Sequence, residues 1–194
     1  KMAVTEPYPD SPNEGTLMTT VALHPLASQN YEIGKPGIES VELARVIDRG
    51  IRESGFIDFE KLCIKKGEKV WQVFIDIFAL NDDGNLMDVA GLAALIALGH
   101  AKMPKYNESE GKIEHELTKE SLPLNEEALS FNMTFHKIGS SIIVDAGEEE
   151  ETVSDYRLSM ALGEHKGKPR ITAMQKGKPG AITEDEMEKI LSLA

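Results

Sequence analysis

The chain has 194 residues, 41% hydrophobic and 28% charged, with a mean hydropathy of −0.27; a chain of this length buries roughly 70% of its unfolded surface and needs neither disulfides nor a structural metal. Thirty-three acidic against 21 basic residues give a net charge of −12 and a pI near 4.9, so the chain as a whole repels polyanions, although a few arginines on one face can still form a local anion site. The single cysteine, Cys63, excludes a disulfide framework and paired-cysteine zinc spacings, which favours a reduced, cytoplasmic setting. The longest apolar stretch, residues 89–98, is about half of the roughly 20 residues that a membrane span requires.

Residues 6–15 hold three prolines and a glycine and are expected to form an ordered loop. Alternation over residues 16–23 predicts a strand ended by Pro25. Leu43, Ile47, Ile51 and Ser54 recur at helical spacing, so residues 39–54 predict an amphipathic helix stopped by Gly55. A short strand at 61–64 and a turn at 65–68 lead into residues 70–80, apolar on both faces and therefore expected to be a central strand. Asp88 is placed to cap a helix running to about Ala101, whose many small residues predict close packing on nearly every side. Residues 104–120, rich in lysine and glutamate without periodicity, read as an exposed connection.

Strands are expected at 130–137, 141–145, 152–162 and 171–176, the first two forming a hairpin around Gly139. Thr183-Glu-Asp-Glu186 spells a capping box that opens a last helix. Strand groups interrupted by packed helices predict an α+β fold of mixed sheets and helices, one domain over residues 1–194. Lys1-Met-Ala-Val4 has no start-like character and Ser192-Leu-Ala194 stops within a helical pattern, so both ends read as truncated.

On the helix at 39–54, Glu42, Arg45, Arg49 and Arg52 follow at spacings of three and four, which lines the arginines up in one stripe. Guanidinium groups bind phosphate oxygens through paired hydrogen bonds. The alternative is a solvated face laced by Glu42, Asp48 and Glu53. His24, His100, His115, His136 and His165 are scattered and fall in no metal-ligand frame, and Asp82-Asp83 before Gly84 reads as a turn. Cys63 reads as a buried, inert thiol, and Glu148 to Glu151 as an acidic run facing solvent.

Three segments carry a resemblance: Glu-Pro-Tyr-Pro-Asp-Ser-Pro-Asn-Glu-Gly at 6–15, Val-Glu-Leu-Ala-Arg-Val-Ile-Asp-Arg-Gly-Ile-Arg-Glu-Ser at 41–54, and residues 71–76 with Asp-Gly-Asn-Leu-Met-Asp at 83–88. Together they resemble the RNase PH-like subunit of the archaeal exosome that lacks its own catalytic centre. The resemblance implies an RNase PH-like fold with further strands before Lys1 and a longer final helix, and a ring in which phosphate attacks the last phosphodiester of RNA and releases a nucleoside diphosphate. It implies a catalytic RNase PH-like paralogue, RNA-binding cap proteins and single-stranded RNA as partners, and no membrane. Phosphate and magnesium are then expected at the partner's active site, and no cofactor, metal ligand or catalytic residue on this chain.

Two departures from catalytic members support that reading. Where they carry a Gly-Ser-Arg phosphate-holding element, this chain reads Gly84-Asn85-Leu86. Where they carry a catalytic aspartate, it has Arg157, with Asp155 two residues earlier on the expected strand face. Arg45 and Arg49 match arginines that the non-catalytic subunit extends toward RNA phosphates, whereas Arg52 has no such match and reads as a surface ion-pair candidate. The alternatives are an independently active phosphorolytic 3′-to-5′ exoribonuclease and an assembly protein that never touches RNA.

Overall fold

The computed structural model describes residues 1–165 and 167–194, apart from the side chains of His115 and His165. In chain order the strands β1 (Met2–Thr5) and β2 (Thr16–Leu23) precede the helix α1 (Ile38–Ser54). Next come β3 (Cys63–Lys65), β4 (Lys69–Ala79), α2 (Leu86–His100), β5 (Lys102–Asn107) and β6 (Lys112–Ser121). The remaining elements are β7 (Ser130–Ile138), β8 (Ser141–Val144), α3 (Glu148–Val153), β9 (Tyr156–His165), β10 (Lys168–Gly177) and α4 (Glu184–Leu193).

β4 is the centre of the first sheet, pairing antiparallel with β1 and β3 and parallel with β2. Its inward side chains Trp71, Val73 and Ile75 meet Leu43, Val46, Ile47 and Ile51 of α1 and Ala90, Ala94 and Leu98 of α2 in one core. The second sheet is antiparallel in the order β10-β9-β7-β8. Strand alternation gives it two different faces. Phe135, Leu158 and Met160 point one way, into a second core closed by Ile190 of α4. Asn132, Thr134, Ser159 and Ala161 lie on the opposite face, toward α1 and α2. The layers therefore run sheet, helices, sheet, helix.

Close approach in the helical layer depends on two glycines. A Cβ on Gly50 of α1 would lie 2.9 Å from the Ala161 Cβ, and one on Gly91 of α2 would lie 2.6 Å from the Asn132 amide. The polar face of the sheet is satisfied by specific bonds, as burial requires. The Thr134 amide and hydroxyl donate to Asp88 at 2.9 and 2.7 Å.

That contact corrects the expected cap. α2 begins at Leu86 behind Asn85, which adopts a left-handed conformation at φ 53°, and Asp88 reaches across to β7. Burial raises the Asp88 carboxyl above the usual range against the opposing bonds from Thr134 and Asn85. α2 is also less enclosed than its small residues suggest, since Val89, Leu92 and Ile96 remain exposed on its far face. Residues 104–120 are not a structureless connection, because β5 and β6 pair there as a hairpin that sets Tyr106 edge-on against Trp71. Residues 152–155 do not begin a strand: α3 ends at Val153, and β9 starts at Tyr156. Cys63 is half-buried on β3.

Candidate nucleic-acid interface

The structure divides the arginine stripe of α1. Arg52 binds Asp48 at 2.9 Å and donates to the Leu17 carbonyl at 2.9 Å, which ties the end of α1 to β2. Glu42 does not lace the stripe; it leaves the helix to meet Arg157 of β9 at 2.6 Å. Arg45 and Arg49 are exposed, and among the described residues neither enters a salt bridge. Both border a groove of about 590 Å³ between α1 and β10, with Thr172 and Gln175 on its opposite wall. Two guanidinium groups thus lie one helical turn apart, outside any salt bridge among the described residues, on a chain of net charge −12.

On the other side of Glu42 lies a second cleft, of about 540 Å³, lined by Tyr31, Asp82, His136, Glu151, Arg157 and Lys178. Its floor is the turn into α2. Gly84 has φ +94° and a Cβ there would lie 2.4 Å from the Ala146 carbonyl oxygen, so no side chain fits. The Asn85 amide donates to Glu151 Oε1 at 2.9 Å, and its side chain donates to Asp145 at 2.8 Å. Glu151 differs from the rest of the acidic run: its partly exposed carboxylate also sits against the first turn of α2, and partial burial raises its pKa. Glu148 to Glu150 remain exposed as expected.

Hydrogen bonding fixes the state of His136, which is 2% exposed. The Ser154 hydroxyl donates to the Glu151 carbonyl at 2.8 Å, so it accepts from Nδ1–H of His136 at 3.1 Å. Nε2 then carries a bare lone pair 3.7 Å from Glu151 Oε1 without a partner. Burial, with Arg157 and Lys178 nearby, lowers the imidazole to about 4. Tyr31 donates to Asp82, and burial with that carboxylate raises the phenol. Asp82 also accepts from the Gly84 amide at 3.0 Å, the turn expected there.

Leu86 lines this cleft with an uncharged side chain. Asp155 does not share Arg157's surroundings: it precedes β9 and accepts from the Gly139 amide at 3.1 Å, in the β7–β8 turn. Among the described residues, no cluster of three or more His, Cys, Asp or Glu side chains is arranged to hold a metal ion. No helix among them is long and apolar enough to cross a membrane.

Two sheets around a shared helical layer define the class, and the chain belongs to the 3′ exoribonuclease family. Residues 1–104 match the model of that family's domain 1 and residues 132–194 that of its domain 2. More narrowly, it is 46% identical over 189 residues to exosome complex component Rrp42 of Pyrococcus horikoshii, covering 96% of this chain and 67% of that protein. It is 48% identical, with the same coverage, to exosome complex component Rrp42 of Thermococcus gammatolerans. A solved structure described as the Archaeoglobus fulgidus exosome with RNA bound to the active site superposes at a TM-score of 0.86 and 39% identity, over 100% of this chain and 72% of that one. The RNase PH-like α+β fold expected from the sequence is the one observed.

Proposed function

We propose that this protein is the non-catalytic subunit of an archaeal exosome ring, a phosphorolytic 3′-to-5′ RNA exonuclease, and that Arg45 and Arg49 hold RNA backbone phosphates for a catalytic paralogue. The observation that carries the reading is the contrast among the arginines, since Arg52 and Arg157 are spent on Asp48 and Glu42 while Arg45 and Arg49 are uncommitted. Holding the strand at two phosphates lowers the entropy lost when its 3′ end reaches the paralogue's reacting groups. The partners of this reading are the catalytic RNase PH-like paralogue, RNA-binding cap proteins and single-stranded RNA, in the cytoplasm.

Inorganic phosphate and magnesium belong to the paralogue's centre in this scheme. The cleft at Asn85 does not suit an added anion, because Leu86 offers no charge and the Glu151 carboxylate already takes the Asn85 amide. No step is assigned to either group on this chain. The same two features count against an independently active exoribonuclease.

The test replaces Arg45 and Arg49 with alanine in the protein assembled with a catalytic paralogue. Loss of two phosphate contacts should lower the salt dependence of RNA binding by roughly 1.4 log units per log unit of salt, at about 0.7 per contact for single strands. Assembly and melting temperature should hold while phosphorolysis slows, and the isolated protein should release no nucleoside diphosphate. Wild-type salt slope and degradation rate in the double variant would overturn the RNA-positioning role.

A further inference from the structure

Residues three and four positions apart on a helix lie side by side, which gives Arg45 four neighbours along α1: Val41, Glu42, Asp48 and Arg49. Two of these are carboxylates, and a pair with either would neutralise the Arg45 guanidinium within the helix. Both are drawn elsewhere. Asp48 takes Arg52 at 2.9 Å and accepts from the Thr19 hydroxyl of β2 at 3.1 Å. Glu42 takes Arg157 of β9 at 2.6 Å. Arg49 is placed differently, since its corresponding neighbours are Arg45, Val46, Arg52 and Glu53, so Glu42 is a competitor for Arg45 alone.

The hold on Glu42 is built into the second sheet. In the strand register Arg157 stands between His136 of β7 and Gly177 of β10, and cross-strand partners share a face. Gly177 leaves the guanidinium its space: a Cβ there would lie 2.8 Å from Nη2 and 3.1 Å from Nε of Arg157. On the other side His136 is neutral near pH 7, because burial lowers its imidazole to about 4, and so it does not repel the arginine. The Arg157 and Glu42 side chains are 23% and 28% exposed, which screens their attraction less than that of a surface pair.

Glu42 borders both the α1–β10 groove and the cleft on its other side. Its carboxylate is observed turned to β9. Turned back along the helix, it would take from Arg45 the donors that a phosphate needs and set an anion beside the groove.

We propose that Arg157 is a positioning residue for RNA, which holds Glu42 against β9 and so keeps Arg45 open to a backbone phosphate. Arg157 itself touches no RNA; it acts through one carboxylate on one arginine. This role rests on the RNA-positioning reading above.

Arg157→Leu in the protein assembled with its catalytic paralogue should weaken binding of single-stranded RNA by about fivefold. Roughly twofold of this comes from breaking a Glu42–Arg45 helix pair, and the rest from an uncompensated carboxylate beside the phosphate. The salt slope should fall by up to about 0.7, the share of one single-strand contact. Glu42→Gln added to Arg157→Leu should restore both, and Arg157→Lys should bind as wild type does.

A double-mutant cycle decides the matter. In an Arg45→Ala background Arg157→Leu should change affinity by less than about twofold, whereas in an Arg49→Ala background the loss of about fivefold should remain. Equal losses in the two backgrounds would mean that Arg157 acts through bulk charge, and would overturn its positioning role. So would a lower melting temperature with RNA affinity and salt slope unchanged, the result for a simple strut between α1 and β9. Should Arg157→Leu fail to assemble, Arg157→Met carries the same cycle, because it keeps most of the length of the stem. The Arg45/Arg49 alanine pair separates the two readings. An unchanged salt slope there refutes RNA positioning itself, whereas a lowered slope without coupling between Arg157 and Arg45 refutes the role of Arg157 alone.

Discussion

His136 makes the fold sensitive to acid in a defined window. Its imidazole is held neutral down to about pH 4, against 6.5 when free, because it is buried and faces Arg157 and Lys178. Between those values the unfolded chain binds a proton that the folded chain does not. Stability therefore falls as the pH drops from 6.5 toward 4 and recovers as it rises. At about 1.36 kcal/mol per pH unit, the gap corresponds to roughly 3 kcal/mol, fully lost below pH 4.

Glu151 and Asp88 work with the opposite sign. Their raised pKa values make the protonated carboxyls favourable in the fold, so each gains stability as the pH falls through its folded value. His136→Gln removes the histidine contribution and leaves those two. Urea unfolding of both proteins from about pH 7 to about pH 4 should give curves whose separation changes by roughly 3 kcal/mol across the window. The substitution also costs a constant amount from repacking, which does not enter the comparison. Parallel curves would refute the assignment of a buried, neutral imidazole.

Gly50→Ala should destabilise the protein by about 1–3 kcal/mol through overpacking against Ala161, and Ala161→Gly in the same chain should recover most of the loss in thermal melting. Glu42→Gln leaves the Arg157 guanidinium without its anionic partner at 2.6 Å and should cost about 1–3 kcal/mol in denaturant unfolding. Thr183→Ala removes the side-chain cap of α4 and should cost about 1 kcal/mol, seen as faster amide exchange confined to α4.

Local pattern was a sufficient guide wherever an element's own spacing and terminal residues carry the signal. The strand at 16–23 is observed over those same residues. The helix expected at 39–54 is observed as Ile38–Ser54, ending at a left-handed Gly55, and Thr183 and Glu186 make the expected capping box. One class of failure arises where the deciding contact lies far away in sequence. Asp88 looks like a cap until β7 arrives to bind it across 46 residues.

The hairpin of β5 and β6 lacks alternation because charged pairs such as Lys105–Glu114 occupy much of its surface. Met2–Thr5 pairs with β4 but is too short to stand out as a strand. At the candidate interface, spacing placed Arg45 and Arg49 on one face. Their isolation was not readable, since it depends on Glu42 being drawn 115 residues away to Arg157.

The position of α1 between two sheets bears on how the chain comes to fold during synthesis. One face of the helix meets β2, which is made just before it. The face around Gly50 waits for Thr172, 122 residues further on, before its carbonyl gains that partner. Contacts this distant slow folding, because the intervening chain must be closed into a loop first. A nascent chain that has not yet made β9 and β10 would carry α1 and the first sheet with a flat, small-residue flank open to any neighbour. The surface that later carries Arg45 and Arg49 is thus among the last to be completed, and no half-made copy can offer the finished groove.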